Sequence, residues 1–176
     1  MHNGLSSAKP RRVYIGQVEH AIDGGDDTVI TTLLGSCVSS CIWDPVRKIG
    51  GMNHVLFIDE TENAAGTFGH GVNGMELLIN GLVRLGADRR HLKAKVFGGA
   101  RMIQGLSDAG ERNGDFVNEF LSREGIENMG GDIGGAKARR VEFWPSSGRA
   151  RVKYVEKEVP IVKPVEPAVS AEVELF

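Results

Sequence analysis

Several things are missing from this 176-residue chain, and each absence narrows what it does. It contains no continuous apolar run approaching the ~18 residues of a membrane span, so no membrane insertion is predicted. It has no long basic run and a formal net charge of −2, which argues against nucleic acid as a partner. The opening "MHNGLSSAKPRR" lacks the apolar core of an export signal. Only two cysteines occur, and without an export signal they are expected to be free thiols in a reducing cytoplasm. With 41% hydrophobic residues, one domain of this length buries a core without needing disulfides or a structural metal.

Glycine, by contrast, is plentiful. Its 24 copies are about twice the usual ~7% share, which points to tight turns and close backbone approaches in a β-containing fold. "VYIGQVEHAI" reads as a first strand, "DGGDD" as a turn, and "TVITTLL" as a β-branched strand running into Gly35-Ser36. "CVSSCIWD" follows and stops at Asp44-Pro45, and "GGMNHVLFI" starts the next strand. Met75, Leu78, Ile79, Leu82 and Leu85 recur at helical spacing within "NGMELLINGLVRLG", with Gly86 as C-cap. "AKVFGG" is a strand, "GDFVNEFLSREG" a second helix, and "IENMGGDIGG" a short strand. "RRVEFWP" and "RARVKYVE" around "SSG" predict a hairpin. The order predicts a mixed α/β (α+β) domain over 13–156, with a strand-rich first half and a central sheet flanked by two main helices. A polar tail over 1–12 precedes it, and a Pro/Val/Glu-rich tail over 157–176, read as extended or disordered, follows.

The chemistry centres on "TTLLGSCVSSCIWDP". On one strand Cys37 and Cys41 would lie about 13 Å apart at ~3.3 Å per residue, beyond the ~7 Å that a disulfide spans. The histidines at 2, 20, 54, 70 and 91 show no zinc-ligand spacing, so metal binding is disfavoured. Cys37, at the edge of a Gly-Ser turn, has adjacent N–H groups suited to an oxyanion, and antiparallel pairing would bring His54 alongside. Cys41 reads as core. Two inert buried thiols and a Cys37–His54 dyad both remain compatible with this local pattern. Ser36 has no G-x-S-x-G around it and reads as a turn former, and Gly98-Gly99 as a close backbone approach rather than a phosphate cradle.

Six segments narrow the choice: "TTLLGSCV", "DPVRKIGGMNHVLF", "GMELLINGLVRLGADRRHLKAKVFGGARM", "GERNGDFVNEFL", "EGI" and "DIGGAKARRVEFWPSSGRARV". Together they resemble, in order, the chemotaxis receptor-glutamine deamidase family, CheD, over roughly residues 13–155. The resemblance implies a single α/β domain with Cys37 as nucleophile, His54 as base, and Thr31, six residues before the cysteine, as the orienting hydroxyl. Thr32 follows directly, and alternation along a strand lets only one of the two threonines face the site. Gly35 and Ser36 would form the turn and oxyanion backbone. The implied activity is a cysteine-dependent amidohydrolase that turns glutamines of chemoreceptor cytoplasmic domains into glutamates through a thioester. No metal or organic cofactor is implied. A CheC-like chemotaxis phosphatase is the implied partner, and an adaptor with little catalysis of its own is the competing expectation.

Overall fold

The computed structural model describes residues 9–56, 64–102 and 108–156, with the side chains of the first helix described from residue 71. The strands of the first half are Arg11–Tyr14 (β1), His20–Asp23 (β2), Thr28–Leu34 (β3), Val38–Asp44 (β4) and Ile49–Asn53 (β5). Helix Ala64–Leu85 (α1) leads to Lys93–Gly98 (β6), and helix Ala109–Arg123 (α2) to Glu127–Ile133 (β7). The predicted hairpin is Arg139–Trp144 (β8) and Arg149–Tyr154 (β9). Residues 157–176 and 1–8 lie outside the described residues, and of the polar tail expected over 1–12, Arg11 and Arg12 belong instead to β1, paired with β3.

The strands form two sheets rather than one central sheet, in the orders β1-β3-β8-β9 and β2-β5-β4-β6-β7. The reason is visible in β3 and β4, which bury nearly every residue and so need cover on both faces. Alternation along β4 separates two apolar clusters. Val38 and Ile42 point to the helices, where Met75, Leu78, Ile79 and Leu82 of α1 and Val117 and Leu121 of α2 pack. Cys37, Cys41 and Trp43 point to the other sheet and meet Ile30, Leu34, Val141 and Phe143. The result is three layers: a four-stranded sheet, a five-stranded sheet, and two helices on the far side of the latter.

Two local expectations change. The first strand splits: β1 joins the four-stranded sheet and β2 the other, with Ile15–Glu19 crossing between them. The break falls at Val18, a β-branched residue held at φ 67°, which no extended strand accommodates. Helix α1 begins nine residues before the expected Asn73, because its first half ("AAGTFGHGV") carries glycines that disguise it. His70 falls within that half.

Close approach explains the "FGG" glycines. Gly98 sits at φ 106°, and a Cβ there would lie 2.2 Å from the Cys37 carbonyl oxygen. Gly99 N–H donates to that oxygen at 2.8 Å. Gly125, also at positive φ, has nothing within 4 Å of its would-be Cβ. In denaturant unfolding, Gly125→Ala should therefore show only the ~1–3 kcal/mol of an unfavourable φ, and Gly98→Ala distinctly more. Equal losses would mean that the approach to Cys37 is not a structural constraint.

Candidate active site

β4 and β5 run antiparallel, with Cys41 opposite Met52 and Asp44 opposite Ile49. Past Asn53 the ladder is interrupted, because the Ser40 N–H goes to the Asn53 side-chain oxygen at 2.8 Å. It closes again at Val38 and Val55, which exchange N–H···O bonds of 3.0 and 2.8 Å. This register puts Cys37 opposite Leu56 and one diagonal step from His54 on the same face, a relation that separates residues by about 7–8 Å in a sheet. Both side chains face the gap between the sheets; Cys37 is 6% and His54 5% exposed.

The imidazole is oriented through a short chain of bonds. Thr32 Oγ1 lies 2.8 Å from the Ile15 carbonyl oxygen and 2.8 Å from His54 Nδ1. A carbonyl only accepts, so the single hydroxyl proton goes to Ile15 and Nδ1 must carry the hydrogen it donates to Thr32. That tautomer leaves the Nε2 lone pair available. Nε2 is buried and has no hydrogen-bond partner among the described residues, so it shares a face with the Cys37 thiol without being bonded to it.

Thr32, not Thr31, therefore meets the histidine. Thr31 is buried with its hydroxyl unpartnered among the described residues, and it belongs to the opposite face of β3. The inward residues of β3 are Ile30, Thr32 and Leu34, as their places in the inter-sheet core and the Thr32–His54 bond require. Cys41 too lies one diagonal step from His54 in this register, and what sets it apart from Cys37 is its complete burial in that core, which drives its thiol well above the ordinary range. Both thiols are free, as expected.

The turn before Cys37 is tied down from one side. The Gly35 carbonyl accepts from Ala100 N–H (2.9 Å), that of Ser36 from Asn113 Nδ2 (2.9 Å), and that of Cys37 from Gly99 N–H (2.8 Å). Asn113 is fully buried on α2. From the other side comes the Ile15–Glu19 crossing: Val18 N–H donates to the His54 carbonyl at 2.9 Å, and Gln17 Nε2 approaches Cys37 Sγ to 4.0 Å. Sequence reasoning missed Gln17 and Asn113. The first sat inside an apparent strand, and the second at the entry to the second predicted helix. Beside His54 a small crevice of about 50 Å³ opens between Val18, Glu19, Asn73 and Leu77.

Burial sets the charge state. It pushes the Cys37 thiol up, against the pull of its own backbone N–H, and pushes the His54 imidazole down, against nearby Glu19. A resting thiolate–imidazolium pair, with a depressed thiol pKa, is not what this environment favours; the neutral thiol and neutral imidazole are. At neutral pH, iodoacetamide should thus alkylate Cys37 more slowly in the folded protein than in the unfolded chain, and Cys41 only after unfolding. Faster labelling of folded Cys37 would contradict the neutral pair.

Comparison with known proteins bears on this site. A family model described as "CheD chemotactic sensory transduction" matches residues 58–154. A protein of Acidiphilium cryptum called "Probable chemoreceptor glutamine deamidase CheD" is 45% identical over 93% of this chain and 90% of its own length. Relatives of the same name in Agrobacterium fabrum (48%, over 84% and 82%) and a Caulobacter species (43%, over 94% and 93%) are similarly close. Among solved structures, hypothetical protein YfiH of Bacillus licheniformis aligns at 13% identity with a TM-score of 0.44, over 64% of this chain and 49% of that one. The chain belongs to the CheD family.

Proposed function

We propose that this protein deamidates glutamine side chains of chemoreceptors, with Cys37 as nucleophile and His54 Nε2 as base. The observation that carries the reading is the Ile15–Thr32–His54 chain of hydrogen bonds, which frees Nε2 on the face that Cys37 shares. A glutamine carboxamide entering between the sheets meets the thiol; Sγ bonds to the carbonyl carbon as the thiol proton passes to Nε2. The carbonyl π pair moves onto oxygen. N–H groups of Ser36 and Cys37 and the Gln17 side-chain amide are the donors for that oxyanion, each such donor being worth about 10²–10³ in rate. Collapse breaks the C–N bond, and His54 returns the proton to the departing ammonia. The resulting thioester is hydrolysed by water whose proton His54 takes; the C–S bond breaks, the thiol is reprotonated, and glutamate remains. Every step uses groups of the chain and water.

Proton transfer here accompanies attack instead of preceding it, because burial keeps both partners neutral at rest. The reading brings with it the expectations of a cytoplasmic protein acting on chemoreceptor cytoplasmic domains, and of a CheC-like phosphatase as partner. No helix among the described residues is long and apolar enough to cross a membrane.

The test is mass spectrometry of a receptor cytoplasmic fragment incubated with the protein. Glutamine-to-glutamate conversion with ammonia release should occur with the wild type and be absent with Cys37→Ala; conversion by the variant at an undiminished rate refutes the nucleophile. Thr32→Val should lose rate within the ~10²–10⁴-fold that a positioned base supplies, while Thr31→Val stays close to wild type. In the pH profile of kcat/KM, the acid limb should fall below the ordinary histidine value of 6.5, since neutral imidazole is the active form and its pKa is lowered. The alkaline limb should lie above 9.0, the ordinary thiol value, because the thiol is raised.

A further inference from the structure

The four-stranded sheet has one face against the other sheet; against the opposite face no helix or strand packs among the described residues. The registers assign its side chains. Val13, Ile30, Val141, Phe143, Ala150 and Val152 point inward, so Arg12 and Tyr14 of β1, Leu33 of β3, and Arg140 and Glu142 of β8 point outward. Arg149, Arg151 and Lys153 of β9 do the same. Among the described residues this face carries five cations against one carboxylate, in a chain whose net charge is −2.

Internal pairing does not explain the cations. Glu142 is buried, and Arg12 and Arg151 together hold it below the usual carboxylate range, so the one carboxylate of this face among the described residues is already neutralised. Arg140, Arg149 and Lys153 are exposed and have no carboxylate partner among the described residues. Arg140 stands directly opposite Lys153 on the neighbouring strand, a like-charge pairing that destabilises a sheet. Arg149 and Arg151 stack on Trp144 at 4.0 and 5.7 Å, which orders both guanidinium groups, that of Arg151 being engaged by Glu142. Tyr14 and Leu33, 67% and 47% exposed, add apolar contact between the charges. Arginine and aromatic side chains with an apolar centre are the composition of a protein-binding face.

The face is also continuous with the active site. Tyr14 precedes the Ile15–Glu19 crossing that brings Gln17 to Cys37, and Leu33 lies four residues before Cys37, opposite Arg140. A single glutamine side chain beside a crevice of about 50 Å³ buries far less than the ~1,200 Å² of a specific protein–protein contact. We propose that the outward face of the four-stranded sheet is an exosite that docks an acidic surface of the protein substrate, with Arg140, Arg149 and Lys153 as its carboxylate-binding groups. The inference rests on the deamidase reading for the identity of that protein. Planar guanidinium groups fit carboxylates in pairs, and Trp144 itself lies covered by two arginines.

The experiment compares wild type with Arg140→Glu/Lys153→Glu on a receptor cytoplasmic fragment and on a short glutamine peptide taken from it. On the fragment, kcat/KM should drop about tenfold or more, through KM, and the salt dependence seen with the wild type should flatten. On the peptide the two proteins should match. Equal rates on the fragment, or equal losses on both substrates, overturn the exosite. A parallel arm measures equilibrium binding of the fragment in a Cys37→Ala background, where the charge reversal should again weaken binding about tenfold or more. If the wild type converts neither substrate, the deamidase reading fails, and this binding arm alone decides the exosite. Unchanged fragment binding, together with charge-dependent sedimentation on phosphatidylserine vesicles, makes the face a lipid-binding surface and overturns the proposal.

Discussion

Two reciprocal backbone hydrogen bonds between Val38 and Val55 hold the candidate chemistry together. They lie one residue after the proposed nucleophile and one residue after the proposed base. The β4–β5 ladder is broken at Ser40 by the Asn53 side chain, so the Val38–Val55 pair is the direct backbone link between the Cys37 turn and the His54 strand end. Asn53 itself faces the helices, with Nδ2 3.3 Å from Met75 Sδ, and period-two alternation then turns His54 toward the other sheet. A one-residue slip would exchange those two faces and remove the base from the site.

The four-stranded sheet completes what the five-stranded sheet begins. It supplies Thr32, whose hydroxyl proton is committed to the Ile15 carbonyl, and that commitment leaves Nε2 as the imidazole nitrogen open to serve as the proposed base. It also starts the Ile15–Glu19 crossing, which holds the His54 peptide and carries Gln17 to the thiol at the expense of a left-handed Val18. The site thus lies where two sheets meet, in a setting dry enough to favour neutral partners. Proton movement is then coupled to the arrival of a carboxamide, which protects the resting thiol from adventitious chemistry.

Much of this was legible in the sequence. β-branched "TVITTLL", the heptad-like stripe of Met75 to Leu82 and the hairpin around "SSG" follow from local pattern and turn chemistry, whereas that pattern left the Cys37–His54 dyad open beside two inert thiols and only the family resemblance chose between them. The two sheets did not, because the partner of a fully buried strand is a long-range choice that periodicity leaves open. The break at Val18 was hidden for the opposite reason: residues 13–22 have strand composition, and only tertiary bonds to His54 and Thr31 pull them apart. The choice between Thr31 and Thr32 turns on which face of β3 looks inward, a one-residue question that family likeness to a spacing pattern does not answer. The polar reach of Asn113 and Gln17 is invisible without the third dimension.

The thioester is the species on which this account stands or falls. Acid-quenching the protein during turnover of a receptor fragment, followed by peptide mapping with and without hydroxylamine, reads it out. The account predicts a hydroxylamine-labile acyl adduct on the Cys37 peptide and none on the Cys41 peptide. Turnover with ammonia release, no adduct at any quench time, and full activity in a chain lacking the Cys37 thiol would contradict it.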